Sequence, residues 1–449
     1  MNFNLETVVE FFLLTLMKQN MKYCHFFTFI LAIALVCGNG CKKSNPDPDG
    51  YQTTCPFCNR SFHTEEECLD HQITCDCYVS DSRFDEPIYV TVPMMEGYAG
   101  PEETCLSKWM SDLPSGIRIA DLTIPGLHDA ATYSYDGSFT PTYVKDQNID
   151  YKDAWNLGAR AFDLRLGYDA RSFQGEFKDR CKFFHGDAFP GIMFGVCMMH
   201  NFHIDITGHF PTKEQLEGEC MILITKDEFH PASDPCAKID IFEYFMHLLV
   251  ERYGKESFIA YSPDLTLEDC KGKIILFTRE KEFTKDYSTV GENTPSVPVT
   301  YIAGFPDDGE TSLTVYQSGQ SQGEYKAYVQ DKYNIGENGK PKDKYDAFRT
   351  ALENRKAKAP DVLFFNGMNA VQDKPSWDVC EFMNPFVADD LYRLRWGRLD
   401  PAYDQPLGIV LTDFFGVGKY KHGIAWTERD FSGQPLAEEL VIHNFEIVY

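Results

Sequence analysis

From residue 117 onward six short apolar runs punctuate the chain, and they constrain its fold more than any other feature. They are "IRIADLTI", "ARAFDLRL", "MILIT", "KIILFT", "DVLFFN" and "LGIVLTDF". Runs with so little polar alternation read as strands buried on both faces, the pattern of a parallel sheet covered by helices. The segments between them are long enough for helices or large loops. Two read as helices: "KIDIFEYFMHLLVERYG", with Ile241, Phe245, Leu248 and Leu249 on one face and Gly254 near its end, and "KYDAFRTALENRKAKAP", stopped by Pro360. Repeated strands joined by crossovers over this length predict an α/β chain whose sheet closes into a barrel. In "IPGLHDAA", Pro125 and Gly126 read as a turn after the first strand, with His128 and Asp129 directly beyond it.

The 449 residues, 43% hydrophobic and 14% aromatic, suffice for one large core and an appended module. A formal charge of -26, from 68 acidic and 42 basic residues, argues against any partner held mainly through its phosphates, nucleic acid above all. The chain is expected to be a monomer.

The N-terminal part divides further. Residues 1–41 read as an export segment. From Met21, "MKYCHFFTFILAIALVCGNGC" has a basic start, an apolar stretch from Phe26 to Val36 and small residues before Cys41. It resembles a bacterial lipoprotein signal with Cys41 lipidated, and an ordinary cleaved signal peptide is the alternative; either exports the protein, to the cell surface or beyond. Residues 42–52 are a polar linker beginning "KKSNPDPDG". Residues 53–78 contain "CPFCNRSFHTEEECLDHQITC", in which Cys55, Cys58, His71 and Cys75 resemble a zinc finger of the Cys-Cys-His-Cys type. Zinc would be structural here, because so short a segment cannot bury enough surface to fold unaided. A disulfide involving Cys68 or Cys77 is the competing reading in an oxidising compartment. The three glutamates of "HTEEECLDHQ" stand where a DNA-reading helix needs donors. Residues 79–105 are a connector with one strand, "PIYVTV", and residues 106–449 form the barrel domain.

At the strand ends the residue types change. His128 and Asp129 follow one strand, Asp163 and Arg165 end the next, "FFHG" supplies His185, and "LGIVLTDF" supplies Asp413. In a parallel barrel these ends form the rim where catalytic groups converge. Two histidines, an arginine and carboxylates at one mouth are what phosphoryl transfer through a positioned hydroxyl requires: a base, an acid and a cation.

In this order and register "IPGLHDA", "DQNIDYKDAWNLGARAFDLR", "FFHG", "ITKDE", "LTLEDCKGKIILFTR", "VQDKY" and "LGIVLTDFF" resemble bacterial phosphatidylinositol-specific phospholipase C, from about Trp109 to beyond Asp413. The resemblance implies an irregular TIM-type (β/α) barrel and a lyase that splits phosphatidylinositol, or a glycosylphosphatidylinositol anchor, at a membrane surface into diacylglycerol and cyclic inositol phosphate. It implies that His128 is the general base, oriented by Asp413, and His185 the general acid, partnered by Asp129. Arg165, supported by Asp163, would stabilise the phosphate oxygens. Lys226, Arg279 and Asp331 would bind inositol hydroxyls, and Tyr333 would pack on the ring. Calcium-dependent relatives carry an acidic residue at the Arg165 position, so no catalytic cofactor is expected. Leu127 and Ala130 depart from the family's usual Thr and Ser. A surface lipoprotein that binds inositol phosphates or a glycan without turnover is the alternative. Within "AFPGIMFGVCMMHNFHIDITGHFP", His200, His203 and His209 suggest either a metal site or a partly exposed loop, and the Met and Phe content a lipid-facing rim.

Overall fold

In the computed structural model, the described residues are 53–54, 61–62, 87–92, 100–135, 145–169, 177–185, 197–229, 238–284, 297–306, 308–317, 325–336, 339–370, 376–394, 401–422, 427–432 and 434–448. The chain divides into two units, Met1–His71 and Gln72–Tyr449. In the first, Thr53–Thr54 pairs antiparallel with Ser61–Phe62. The export segment, Cys55, Cys58, His71 and Cys75 lie outside the described residues.

Nine strands of the second unit close a ring: β1 (Thr123–Leu127), β2 (Ala161–Tyr168), β3 (Cys220–Phe229), β4 (Lys273–Thr278), β5 (Thr300–Ala303), β6 (Gly309–Gln317), β7 (Tyr325–Asp331), β8 (Leu363–Gly367) and β9 (Gly408–Thr412). Each pairs with the next, and β9 returns to β1. Only β6 runs against the others. Closure leaves no open edge and buries both faces of the parallel strands, which explains why every residue of β2 is buried, Asp163 and Arg165 included.

The expected barrel is present, and its first strand corrects the sequence reading. Ile119–Asp121 forms a 3-10 turn, and the strand starts at Thr123 and runs through Pro125 and Gly126. Pro125 lacks an N–H to give to the ladder, and its pairing with β2 is made through its carbonyl, which accepts the Arg160 amide at 2.8 Å. Gly126 is required by close packing: a Cβ would stand 2.8 Å from Ala161 Cβ.

Among the described residues the α-helices of more than one turn, which pack outside, are α1 (Tyr151–Asn156), α2 (Lys238–Tyr253), α3 (Pro341–Lys358), α4 (Ser376–Leu394) and α5 (Gln434–Val448). The apolar stripe of α2 enters the main core as read, with Ile241, Phe245 and Leu249 buried. A second core joins Phe348 and Leu352 of α3, Met383 and Leu391 of α4, and Leu436 and Leu440 of α5 to Phe364 and Val410 of the barrel wall. Each such side chain removed from water stabilises the fold by roughly 1.5–3 kcal/mol before entropy is counted. The connector strand Tyr89–Thr91 pairs with Glu103–Cys105, and Val90 and Val92 join the main core.

At the amino ends of β2 and β3 lies a buried ion pair, Arg160 Nη2 to Glu219 Oε2 at 2.7 Å. The Arg160 guanidinium lies 4.0 Å from the centre of the Trp155 ring. Glu219 also accepts from the Ser111 amide at 2.9 Å and hydroxyl at 2.8 Å. This end of the barrel carries stability, and the carboxyl ends carry the polar groups.

Candidate active site

Register assembles the site. Leu127 pairs with Thr412, so His128 and Asp413 emerge side by side one residue beyond them. Arg165 pairs with Lys226, and Thr225 with Thr278, which brings Arg279 alongside. His185 ends a strand as expected, but Cys181–His185 lies outside the barrel, antiparallel to the end of β2. Asp163 and Arg165 likewise lie inside β2, which runs on past the rim as far as Tyr168, and do not form its end.

The sequence-derived centre comes together. Nδ1 of His128 lies 2.9 Å from Asp413 Oδ1, and its Nε2 lies 3.3 Å from Arg165 Nη2. Arg165 Nε is 2.7 Å from Asp129 Oδ1. Its Nη2 donates to Asp163 at 2.9 Å, and its Nη1 donates to Glu228 at 3.3 Å. His185 Nε2 lies 3.5 Å from Asp129 Oδ2. Lys226 reaches Glu228 at 2.9 Å; Arg279 lies 3.5 Å from Asp163 and packs flat over Phe305, 3.7 Å from its ring centre. Asp331 ends β7, close enough for its charge to be felt by Arg165. Tyr333 is half-buried two residues further on, its amide donating to the Asp331 carbonyl.

Three residues escaped the sequence reading. Asp146 lies 3.3 Å from His185 Nε2 and 4.0 Å from His128 Nδ1, and so stands between the two imidazoles. Glu228 joins Arg165 to Lys226. Gln147 donates to the carbonyls of His128 and Thr412, both at 2.7 Å, and clasps β1 to β9. Asp146 and Gln147 open the motif "DQNIDYKDAW", and the signal was their position in it; both amides are anchored at 3.0 Å on Thr132 Oγ1, a contact that no spacing announces.

The backbone is strained at this mouth. Asp129 and Phe414, which directly follow His128 and Asp413, are the described non-glycine residues with positive φ, at 40° and 49°. Left-handed backbone in such residues costs of order 1–3 kcal/mol and persists only where surrounding structure holds it. The Phe414 amide donates to the Asp146 carbonyl, which fixes one of them.

Charge is concentrated here. Burial disfavours the His128 cation, but Asp129 and Asp413, followed by Asp146, outweigh that and raise its pKa to about 10. The same contest, won through the Asp146 hydrogen bond and the Asp129 charge, raises His185 to about 9. Burial and repulsion from Asp146 raise Asp413 despite His128. Asp163 moves the other way: burial opposes its charge, and Arg165 and Arg279 hold it well below the usual carboxylate range.

Among the described residues, three groups at this mouth bring metal-binding atoms together: His128, Asp129 and Asp163; His128, Asp146 and Asp413; and Asp129, Asp146 and His185. The first is already spanned by Arg165, which an ion would have to displace.

A closed barrel whose rim gathers two histidines, two arginines and six carboxylates defines an acid–base site built around a fixed cation. Comparison with known proteins finds this chain similar in sequence to bacterial 1-phosphatidylinositol phosphodiesterases and similar in fold to a solved phosphatidylinositol-specific phospholipase C. It is 24% identical over 328 residues to the 1-phosphatidylinositol phosphodiesterase of Staphylococcus aureus, covering 68% of this chain and 92% of that one. It is 27% identical over 184 residues to the protein of the same name from Listeria monocytogenes, covering 38% and 48%. A solved mutant of the phosphatidylinositol-specific phospholipase C from Staphylococcus aureus superposes with a TM-score of 0.53 at 19% identity, covering 74% of this chain and 97% of that one. No protein-family model matches the chain.

Proposed function

We propose that the chain is a phosphatidylinositol-specific phospholipase C that cleaves its substrate by intramolecular attack, without a catalytic metal. The observation that carries this reading is the placement of His128: Asp413 holds its Nδ1 at 2.9 Å, and its Nε2 faces the Arg165 guanidinium at 3.3 Å. His128 Nε2 takes the proton of the inositol 2-hydroxyl, and that oxygen forms a bond to its own phosphorus. The bond from phosphorus to the glycerol oxygen breaks, and His185 delivers a proton to the departing diacylglycerol. The attacking hydroxyl is supplied by the substrate itself, so proximity is built in and no covalent nucleophile is needed. Arg165 presents a permanent charge to the non-bridging oxygens, and Asp163 and Glu228 fix its orientation. Asp146 and Asp129 share the task of holding His185. Lys226, Arg279, Asp331 and Tyr333 make up the inositol subsite.

The lipid reaches the site as free phosphatidylinositol or as the anchor of a glycosylphosphatidylinositol-linked protein. In this reading the enzyme is exported and monomeric, and the finger residues Cys55, Cys58, His71 and Cys75 hold a structural zinc. No helix among the described residues is long and apolar enough to cross a membrane.

The test is turnover of phosphatidylinositol vesicles, with phosphatidylcholine vesicles as control and with and without added millimolar calcium. Release from phosphatidylinositol alone, at a rate indifferent to calcium, is the expected result. A rate that depends on calcium would remove Arg165 from its role, and binding without release would leave an inositol-binding lipoprotein.

A further inference from the structure

Behind the catalytic mouth lies a second cluster that the proposed reaction does not use. The sequence allowed a partly exposed loop around His200, His203 and His209. The structure exposes His203 and buries His200 and His209 to 6% and 7%. Phe202 and Phe210 belong to the main core and so are not part of a lipid-facing rim, and Phe189, Met193 and Phe194 lie outside the described residues.

His200 lies on the strand Cys197–Asn201, and Asp205 and His209 stand at the two ends of the single helical turn that follows. Asp205 is fully buried, and one donor atom from each of the three lies within 4.8 Å of the others. Nδ1 of His209 is held by Asp150 Oδ2 at 2.9 Å, so the ligand nitrogen of that ring is Nε2. A carboxylate on the far nitrogen is the usual outer partner of a metal-bound histidine, fixing its tautomer and ring plane. Asp205 is oriented in the same way by two hydroxyls, Tyr133 at 2.7 Å and Tyr151 at 3.1 Å, and its Oδ1 also lies 2.7 Å from Nδ1 of His200. These contacts hold the three groups together in a buried setting, and two imidazoles with a carboxylate are a donor set that a cation can take up.

We propose that His200, Asp205 and His209 bind a structural zinc ion. Imidazole and carboxylate donors suit zinc, and three protein ligands leave the fourth tetrahedral position to a water molecule. Ligand atoms around tetrahedral zinc lie roughly 3.3 Å apart, so the site completes when the 2.7 Å contact of His200 with Asp205 opens and the wider spacings close by side-chain rotation. Burial closes it to substrate, which makes its role structural. It ties the strand bearing His200 to the helical turn bearing Asp205 and His209. Through Tyr133 and Asp150 it also braces the turn that follows Asp129 and the cap of α1.

The test uses the full chain carrying Cys55→Ser and Cys58→Ser, which removes the finger as a zinc source. After growth with micromolar zinc and dialysis, about one zinc per chain is expected, and X-ray absorption should show nitrogen and oxygen ligands with no sulfur. Adding His209→Gln should abolish that zinc. Asp227→Asn, a change outside the proposed ligand set, should retain it. Zinc below about a tenth of an equivalent in the double Cys variant, sulfur in its first shell, or retention of zinc by the His209→Gln protein would each overturn the proposal. None of these readouts depends on lipase turnover.

Discussion

His128 sits among three carboxylates, and that crowding sets how the enzyme should respond to pH. Its pKa is raised to about 10 and that of His185 to about 9, both above the ordinary 6.5. In the proposed mechanism activity rises as His128 loses its proton and falls as His185 loses its own, so kcat/KM should peak between about pH 9 and 10; a peak near pH 7 would show that the surrounding carboxylates do not hold the two histidines charged to that extent. The same shifts bear on stability. A raised folded-state pKa contributes stability that is complete below about 6.5 and lost as pH rises through the folded values, so melting temperature should drop between pH 7 and 10. His128→Ala should lose at least ~10²-fold of activity with its fold intact. Asp146→Asn withdraws a carboxylate from His185 and from His128 and should move both limbs of the profile to lower pH. His128, His185, Arg165 and Asp413 were legible because each is a reactive side chain next to an apolar run. Asp146, Glu228 and Gln147 were not, because their importance arises from partners up to 268 residues away in sequence.

At the scale of elements, the strands that packing buries on both faces were the readable ones. β5, β6 and β7 were missed: along β7 the first two residues are half-buried and exposed, and β6 alternates in the same way, so these strands lack a continuous apolar run. α4 was missed because Pro385 stands inside it, where a proline ordinarily ends a helix, and its buried face against α3 and α5 holds it together. Pro125 and Gly126 misled in the opposite sense, since a sequence that reads as a turn is here a buried strand. That strand gives a test. Gly126→Ala places a methyl against Ala161 Cβ at 2.8 Å and its carbonyl at 3.0 Å, with backbone that cannot swing aside. The variant should lose about 1–3 kcal/mol in denaturant unfolding, the range for an overpacked core. Because His128 lies two residues away, its activity should fall as well; unchanged stability would show that β1 and β2 are less tightly seated than described.

The whole molecule separates its tasks between the two ends of one barrel. Arg160 and Glu219 close the amino end, far along β2 and β3 from the groups that face substrate. Glu219→Ala leaves a buried guanidinium without its partner and should cost about 3–5 kcal/mol of stability, while kcat measured well below the melting temperature stays near wild type. At the other end, in the proposed reaction, the inositol ring attacks its own phosphate. The most direct measurement is phosphorus NMR of the soluble product released from phosphatidylinositol vesicles by the purified full chain with no metal added. A five-membered cyclic inositol phosphate as the first product is the predicted result; inositol monophosphate appearing first, with no cyclic precursor, would mean that water attacks the phosphorus and that His128 does not act on the substrate hydroxyl.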